Sequence, residues 1–421
     1  MARVVVIGGG VAGCSAAITA AQTGVETLLL ERMDTLSGMG LWTGQLLSWI
    51  ARQETKLMGG GAGQVISLME SLALHYKDEM GVPDGHLTFD VAFLDAGMKR
   101  LVERAGVKLL LRSRAVDVER RGNRIEAVVL ADGTRVAGDA FVDATGNVGG
   151  MDICEQYGQG CVLCIMKCPI FGDRVAISEA GGIPAIQGTE LRPYLSCYLI
   201  YTPSFSPEVR HRIEHSPNGY YYHPIPEELQ RYDFTHEWRR PEQPVTTVLK
   251  ASHLQIAHIN WSKTWLNVPL KFLRSVPGFE NVWVLNPGVI AGQAVQRTYP
   301  APHDLALQVT GLENLFAAGL RSGRFSAFVE VMYTGDLAGY NAARRALNTN
   351  SLLEIPTTTT MGYFLKEVGR DRTICDYPDG AVNDPRFDPY RERGLDTTDP
   401  ARIRRRMDEA GLLGIYQKPL T

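Results

Sequence analysis

Four of the chain's seven cysteines, Cys154, Cys161, Cys164 and Cys168, crowd into one short window, and Pro169 follows the last. Thiols at this spacing could do three kinds of chemistry. The run Cys161-x2-Cys164-x3-Cys168-Pro copies the tail of an iron–sulfur ligation motif, with Cys154 as a fourth ligand. Alternatively, Cys161 and Cys164 form a dithiol that exchanges electrons by thiol–disulfide chemistry. The third reading is a set of unmetallated thiols lining a pocket. Val162 to Lys167 reads as a strand, and a strand holds Cys164 and Cys168 about 13 Å apart at roughly 3.3 Å per residue. That span is too wide for one cluster and argues against a metal, so no metal ligand is assigned.

The element that must position any such chemistry opens the chain. Val4 to Ile7 are β-branched and apolar, as a strand buried on both faces should be. Gly8, Gly10 and Gly13 follow with G-x-G-x-x-G spacing: a tight turn, a close backbone approach to a pyrophosphate, and close helix–strand packing. A helix is predicted from about Val11 to Thr23, ending at Gly24, with the positive end of its dipole facing the turn. Thr27 to Leu30 form the next strand, and Glu31 at its tip can accept two hydroxyl hydrogen bonds from an adenosine ribose. The reading is a dinucleotide site.

Composition bounds the rest. A chain of 421 residues is long enough for two or three domains. With 43 Lys and Arg against 46 Asp and Glu the net charge is −3, so no bulk field draws it to nucleic acid or acidic membranes. The arginine runs of residues 112–124 and 402–406 read as solvated faces. No apolar stretch approaches a membrane span, and the first strand leaves no room for a signal peptide. A cytoplasmic protein is expected.

Along the chain, Gln64 to Tyr76 and Leu94 to Ala105 read as amphipathic helices. Strands follow at Val107–Arg112, Ala115–Arg120 and Arg124–Leu130, and an apolar strand ends in Ala144-Thr145-Gly146. From Met151 to about Pro269 the character changes: tyrosines, prolines, His211, His215, His223 and His236 suggest an inserted substrate domain. Gly311 to Gly319 reads as a strand and glycine turn, and Phe325 to Leu347 as a helix carrying Gly335 and Gly339. A weak helix is predicted near Arg402 to Ala410 in a polar extension that wraps the surface.

Three glycine-bearing pieces in this order resemble the two-domain flavoproteins of the glutathione-reductase type. Val276-Pro277-Gly278-Phe279-Glu280-Asn281, Gly288-Val289, Arg297-Thr298-Tyr299, Phe328-Val329-Glu330 and Leu337 to Arg344 are similar to the flavoproteins that modify uridines in RNA. That TrmFO/GidA (MnmG) group includes a folate-dependent tRNA uridine methyltransferase and a carboxymethylaminomethyl-uridine enzyme. The resemblance implies an α/β fold: a discontinuous Rossmann-type FAD-binding domain (1–150 and 271–350), an inserted mixed α/β substrate domain (151–270) and a surface extension (351–421). It implies that FAD meets Gly8, Gly10, Val11, Ala12 and Gly13 at the first turn, Glu31 and Arg32 at the second strand's tip, and Gly38 in the next loop. Val116, Ala144, Thr145 and Gly146 would follow the cofactor, with Gly319, Arg321 and Phe328 at the flavin end. Cys168-Pro169 resembles a Cys-Pro of the GidA group. Cys168 is therefore expected to face substrate, and Cys164 beside it to share the catalytic role.

Departures from the group shape the functional expectation. The methyltransferases carry a reactive cysteine after the ribose-binding acid, and this chain has none between Cys14 and Cys154. The carboxymethylating enzymes have a long helical carboxyl-terminal domain for tRNA, which this chain stops too early to hold. The primary expectation is thus an FAD-dependent oxidoreductase passing hydride or electrons between bound flavin and a small-molecule substrate. An electron-transfer partner or NAD(P)H would complete the cycle, an iron–sulfur cluster stands as an alternative second cofactor, and a homo-oligomer is expected. Nucleic acid is not the expected partner. The competing readings are folate- and FAD-dependent uridine modification in tRNA or rRNA, and a flavin-binding sensor or assembly protein. Arg297 or Arg321 would hold the flavin's anionic edge, His223 or His236 would move protons, and Glu330 is either a general base or an arginine's buried partner.

Overall fold

A computed structural model describes residues 2–38, 45–47, 51–73, 86–146, 175–186, 196–215, 220–223, 246–251, 256–261, 271, 274–286, 300–323, 328–349, 351–370 and 388–420. The first β-α-β unit is β1 (Arg3–Ile7), α1 (Val11–Gln22) and β2 (Glu26–Leu30). A small ribbon pairs β3 (Gln45–Leu47) with β4 (His86–Thr88), and between them lie α2 (Arg52–Met58) and α3 (Gly61–Ser71). Then come α4 (Leu94–Arg104), β5 (Lys108–Leu110), a three-stranded meander of β6 (Ala115–Arg121), β7 (Arg124–Leu130) and β8 (Arg135–Ala137), and β9 (Ala140–Asp143).

A short helix α5 (Ile177–Ala180) precedes β10 (Ser196–Tyr201), α6 (Pro207–Glu214), β11 (Tyr220–His223), β12 (Thr246–Ala251), β13 (Ile256–Trp261) and β14 (Val284–Asn286). The chain continues with β15 (Leu315–Ala317), α7 (Phe328–Ala346), α8 (Thr360–Arg370), α9 (Asp388–Glu392) and α10 (Pro400–Glu409).

The main sheet is parallel throughout, in the order β15-β9-β1-β2-β5. Its strands alternate between two cores with period two. Val4, Val6, Leu29, Val142 and Phe316 enter the helical layer of α1, α3 and α7. Val5, Ile7, Leu28, Leu30 and Phe141 enter the layer beneath the meander. Burial on both faces is why β1 reads as a continuous apolar run. β1 has β2 on one side and β9 on the other, so the order reverses there, and the crevice at the carboxyl ends is where such sheets bind ligands.

Close backbone packing brings the late half of the chain to this crevice. A Cβ on Gly335 would strike the Ala12 carbonyl oxygen, and one on Gly339 the Ala16 carbonyl oxygen. Small residues on both helices let α7 lie against α1, and this seats Gly319 beside Ala12.

The inserted sheet is antiparallel, in the order β11-β12-β13-β10-β14. Its last strand, Val284–Asn286, lies beyond residue 270, because the chain returns to pair with β10 before rejoining the dinucleotide domain. α3 begins at Gly61, earlier than the hydrophobic pattern suggests, and ends at Ser71. Gly61 is needed at that start because a Cβ there would crowd the Ser15 carbonyl at 2.5 Å. The carboxyl-terminal extension also adds to the core: Leu395, Ile403, Met407, Leu412 and Tyr416 are buried in the helical layer. Ile403 and Met407 recur four residues apart on an otherwise charged helix, which gives α10 a narrow apolar stripe.

Candidate functional site

The first turn and its surroundings form an anion cradle. Gly8 has φ +105°, and its amide donates to the Leu30 carbonyl at 2.8 Å, tying the end of β1 to β2. Across from it, Ala144 donates to the Ile7 carbonyl at 2.9 Å, and a Cβ on Gly8 would strike the Ala144 carbonyl oxygen. A Cβ on Gly13 would collide with the Gly8 carbonyl. Gly10 differs from both: among the described residues a Cβ there would meet nothing within 4 Å. α1 therefore begins with space before it among the described residues, with no capping side chain and no acidic residue in its first turn. The free first-turn amides of Val11, Ala12 and Gly13 and the positive end of the dipole suit a diphosphate.

Glu31 sits at the tip of β2 as expected, 8% exposed. Its Oε2 accepts from the Gly9 amide at 2.6 Å and its Oε1 from the Met33 amide at 2.8 Å. A carboxylate has about four acceptor positions, so two remain for ribose hydroxyls. Burial pushes its carboxyl up, partly offset by the Met33 and Gly9 amides. The loop after it closes over the turn. The Ser37 amide donates to the Gly9 carbonyl at 2.7 Å, and a Cβ on Gly38 would stand 3.1 Å from the Gly10 Cα. Arg32 is half-buried beside Glu31. Val116 lies where the β6–β7 register slips, so it has no partner residue across the ladder. These residues, with an uncapped helix start, fit an adenine dinucleotide.

A polar network at the far side was not legible in the sequence. Asp143 ends β9, and its Oδ1 accepts from the Thr145 hydroxyl at 2.6 Å. Its Oδ2 accepts from Arg321 Nε at 3.3 Å and the Ser178 amide at 3.2 Å, while Arg321 Nη2 donates to Ser178 Oγ at 2.8 Å. Arg321 and Asp143 are both fully buried. The Arg321 guanidinium thus joins β9, α5 and the Gly319 turn. The Gly319 amide donates to Thr334 Oγ1 at 2.8 Å, which fixes that turn on α7. Gly146 follows Thr145 with φ +76°, and Phe328 starts α7, half-buried.

Other candidates fall elsewhere. His223 is buried against the Phe279 ring, with centroids 4.8 Å apart, and burial holds its pKa down. Glu330 is buried within α7. Cys14 is buried, its Sγ 3.3 Å from the Gly9 carbonyl, and burial pushes its thiol far up, so it is inert. Cys154, Cys161, Cys164, Cys168, Arg297 and His236 lie outside the described residues. Among the described residues no group of His, Cys, Asp and Glu is arranged to hold a metal, and no helix is long and apolar enough to cross a membrane.

Comparison with known proteins agrees with this geometry. A family profile for FAD dependent oxidoreductase matches residues 3–152, and one for glucose inhibited division protein A matches residues 250–350. The chain is 25% identical over 415 residues to the tRNA uridine 5-carboxymethylaminomethyl modification enzyme MnmG of Protochlamydia amoebophila, covering 83% of this chain and 63% of that protein. It is also 25% identical over 409 residues to MnmG of Geobacter sulfurreducens, with the same coverage. The chain therefore spans under two thirds of the length of these relatives. The structure of Aquifex aeolicus GidA superposes with a TM-score of 0.65 at 18% identity, over 99% of this chain and 74% of that one. With its uncapped cradle, its parallel sheet and these matches, the chain is similar to the GidA/MnmG group and has the fold of an FAD-dependent oxidoreductase.

Proposed function

We propose that the chain uses FAD to modify uridine in tRNA. The observation that carries this reading is similarity across 83% of the chain to enzymes named for tRNA uridine modification. Nucleic acid, set aside on net charge, returns as the proposed partner: a net charge of −3 excludes a bulk field but not a local surface. Bound FAD would supply the hydride and electron exchange that side chains cannot perform. The chain's own part is to hold the diphosphate on the α1 amides, to pin the ribose on Glu31, and to keep the late turn seated through Asp143 and Arg321. Cys168, with Cys164, is proposed to face the uracil.

The test is nucleoside analysis of tRNA from the host organism with and without the gene. A 5-substituted uridine should disappear on deletion and return with the wild-type chain. Gly10→Val should fail to restore it and purify without FAD, whereas Cys168→Ser should fail while keeping FAD. The acidic net charge favours a second reading, a flavin oxidoreductase acting on a small metabolite. An unchanged nucleoside profile, with flavin reduced by NAD(P)H and reoxidised by a metabolite, would establish that reading instead.

A further inference from the structure

An arginine-lined groove lies on the carboxyl-terminal segment. Arg393, Thr397, Arg402, Arg405, Arg406 and Glu409 line a groove of about 380 Å³ between α10 and the loop before it. The groove is fastened to the dinucleotide domain. Arg406 donates from Nε to Glu54 Oε1, from Nη1 to the Gly394 carbonyl and from Nη2 to Thr360 Oγ1, each at 3.0 Å. Its charge is thereby matched by a carboxylate that is 1% exposed. Arg393 is set by its guanidinium, 4.6 Å from the Tyr363 ring centroid, and by a 3.2 Å bond to the Pro389 carbonyl.

Arg402 and Arg405, three apart on one helix face, are exposed and make no ion pair among the described residues. Across the groove from them, Arg393 has no carboxylate partner there either. Among the described residues Glu409 is the one carboxylate in the lining, against these three guanidiniums. Cations held together in this way favour an anion with several oxygens, which arginine forks bind bidentately. Glu409 selects within that class, because it repels a dianionic phosphate monoester more than a singly charged phosphodiester.

We propose that this groove binds the phosphodiester backbone of RNA. The choice of RNA rests on the tRNA reading above. The groove itself rests on the arginines, which the sequence alone presents as a solvated face.

The experiment uses the full chain with bound FAD and a labelled, unmodified tRNA transcript, titrated by fluorescence anisotropy at several salt concentrations. The double substitution Arg402→Gln with Arg405→Gln should weaken binding about tenfold. It should also flatten the dependence of log K on log salt by roughly 1.4 to 1.8, at 0.7 to 0.9 per phosphate contact. Arg393→Gln, on the opposite wall, should flatten it by about half as much. Arg404→Gln, on the same helix outside the groove lining, should change neither quantity, and FAD content and thermal midpoint should hold in all variants. Unchanged affinity in the double variant, an equal loss in Arg404→Gln, or a groove that takes inorganic phosphate while the protein ignores tRNA would each overturn the proposal. Should groove-dependent tRNA binding hold while host tRNA shows no dependence on the gene, the groove stands and the modification reading falls.

Discussion

The glycines of the first turn do different work, and substitution separates them. At Gly10 the backbone is extended (φ −67°, ψ 176°), a conformation any residue adopts, and no described residue fills the space before it. Gly10→Val should therefore cost on the order of 1 kcal/mol or less in stability while filling the place of the diphosphate. Gly13→Ala drives a methyl into the Gly8 carbonyl and should cost about 1–3 kcal/mol as overpacking. Thermal unfolding of the FAD-free proteins and FAD titration check both. A Gly10→Val protein that binds FAD normally would remove the assignment of the cradle.

At the scale of elements, Asp336 is the joint between three helices. From α7, its Oδ1 accepts from Thr19 Oγ1 of α1 at 2.6 Å and from the Ala62 amide of α3 at 2.9 Å, and Thr19 in turn accepts from the Gly61 amide at 2.8 Å. Tyr333 and Tyr416 lie buried around it. Burial pushes the Asp336 carboxyl up to about 7, against the hydrogen bonds from Thr19 and Ala62. Because the folded state holds this proton more tightly than the unfolded chain, the contribution is complete below about pH 3.8. It is lost as pH rises through about 7 and is constant above that. Asp336→Asn removes this one titration. Relative to wild type, the variant should gain roughly 4 kcal/mol between pH 4 and pH 8 by urea unfolding. Parallel pH profiles for the two proteins would refute the assignment.

Over the whole molecule, the carboxyl-terminal segment is an integral part of the helical layer. Glu54 of α2 accepts from Arg406 Nε, the Thr360 amide at 3.1 Å and the Met361 amide at 3.3 Å, so one buried carboxylate ties α2, α8 and α10 together. The Tyr416 ring packs edge-on against Tyr340 of α7, with centroids 5.2 Å apart, and the Leu420 amide reaches the Thr23 carbonyl at 3.1 Å. Arg406→Met leaves Glu54 buried without its cation, a change that costs about 3–5 kcal/mol. Limited proteolysis should then cut within residues 388–420 well before the rest of the chain, and equal cleavage rates in variant and wild type would contradict the anchoring role.

The sequence by itself determined the opening β-α-β unit, its dinucleotide turn, the acid at the tip of β2 and the long glycine-bearing helix. All of these are written in local patterns: a β-branched run, glycine spacing and a helical period. The same local reading extended α3 toward Tyr76 and missed its start, because Gly60 and Gly61 look like a turn until α1 is laid against them. Nor does anything near Arg321 in the chain reveal its partner Asp143, 178 residues away. Only the tertiary structure decided that pairing, the joint at Asp336, the burial of Tyr416 and the convergence of Arg393 with Arg402 and Arg405. Each depends on segments that meet only after the parallel sheet has formed, and the energy of a buried charge or a crowded glycine is set by those neighbours, not by the residues beside it in the chain.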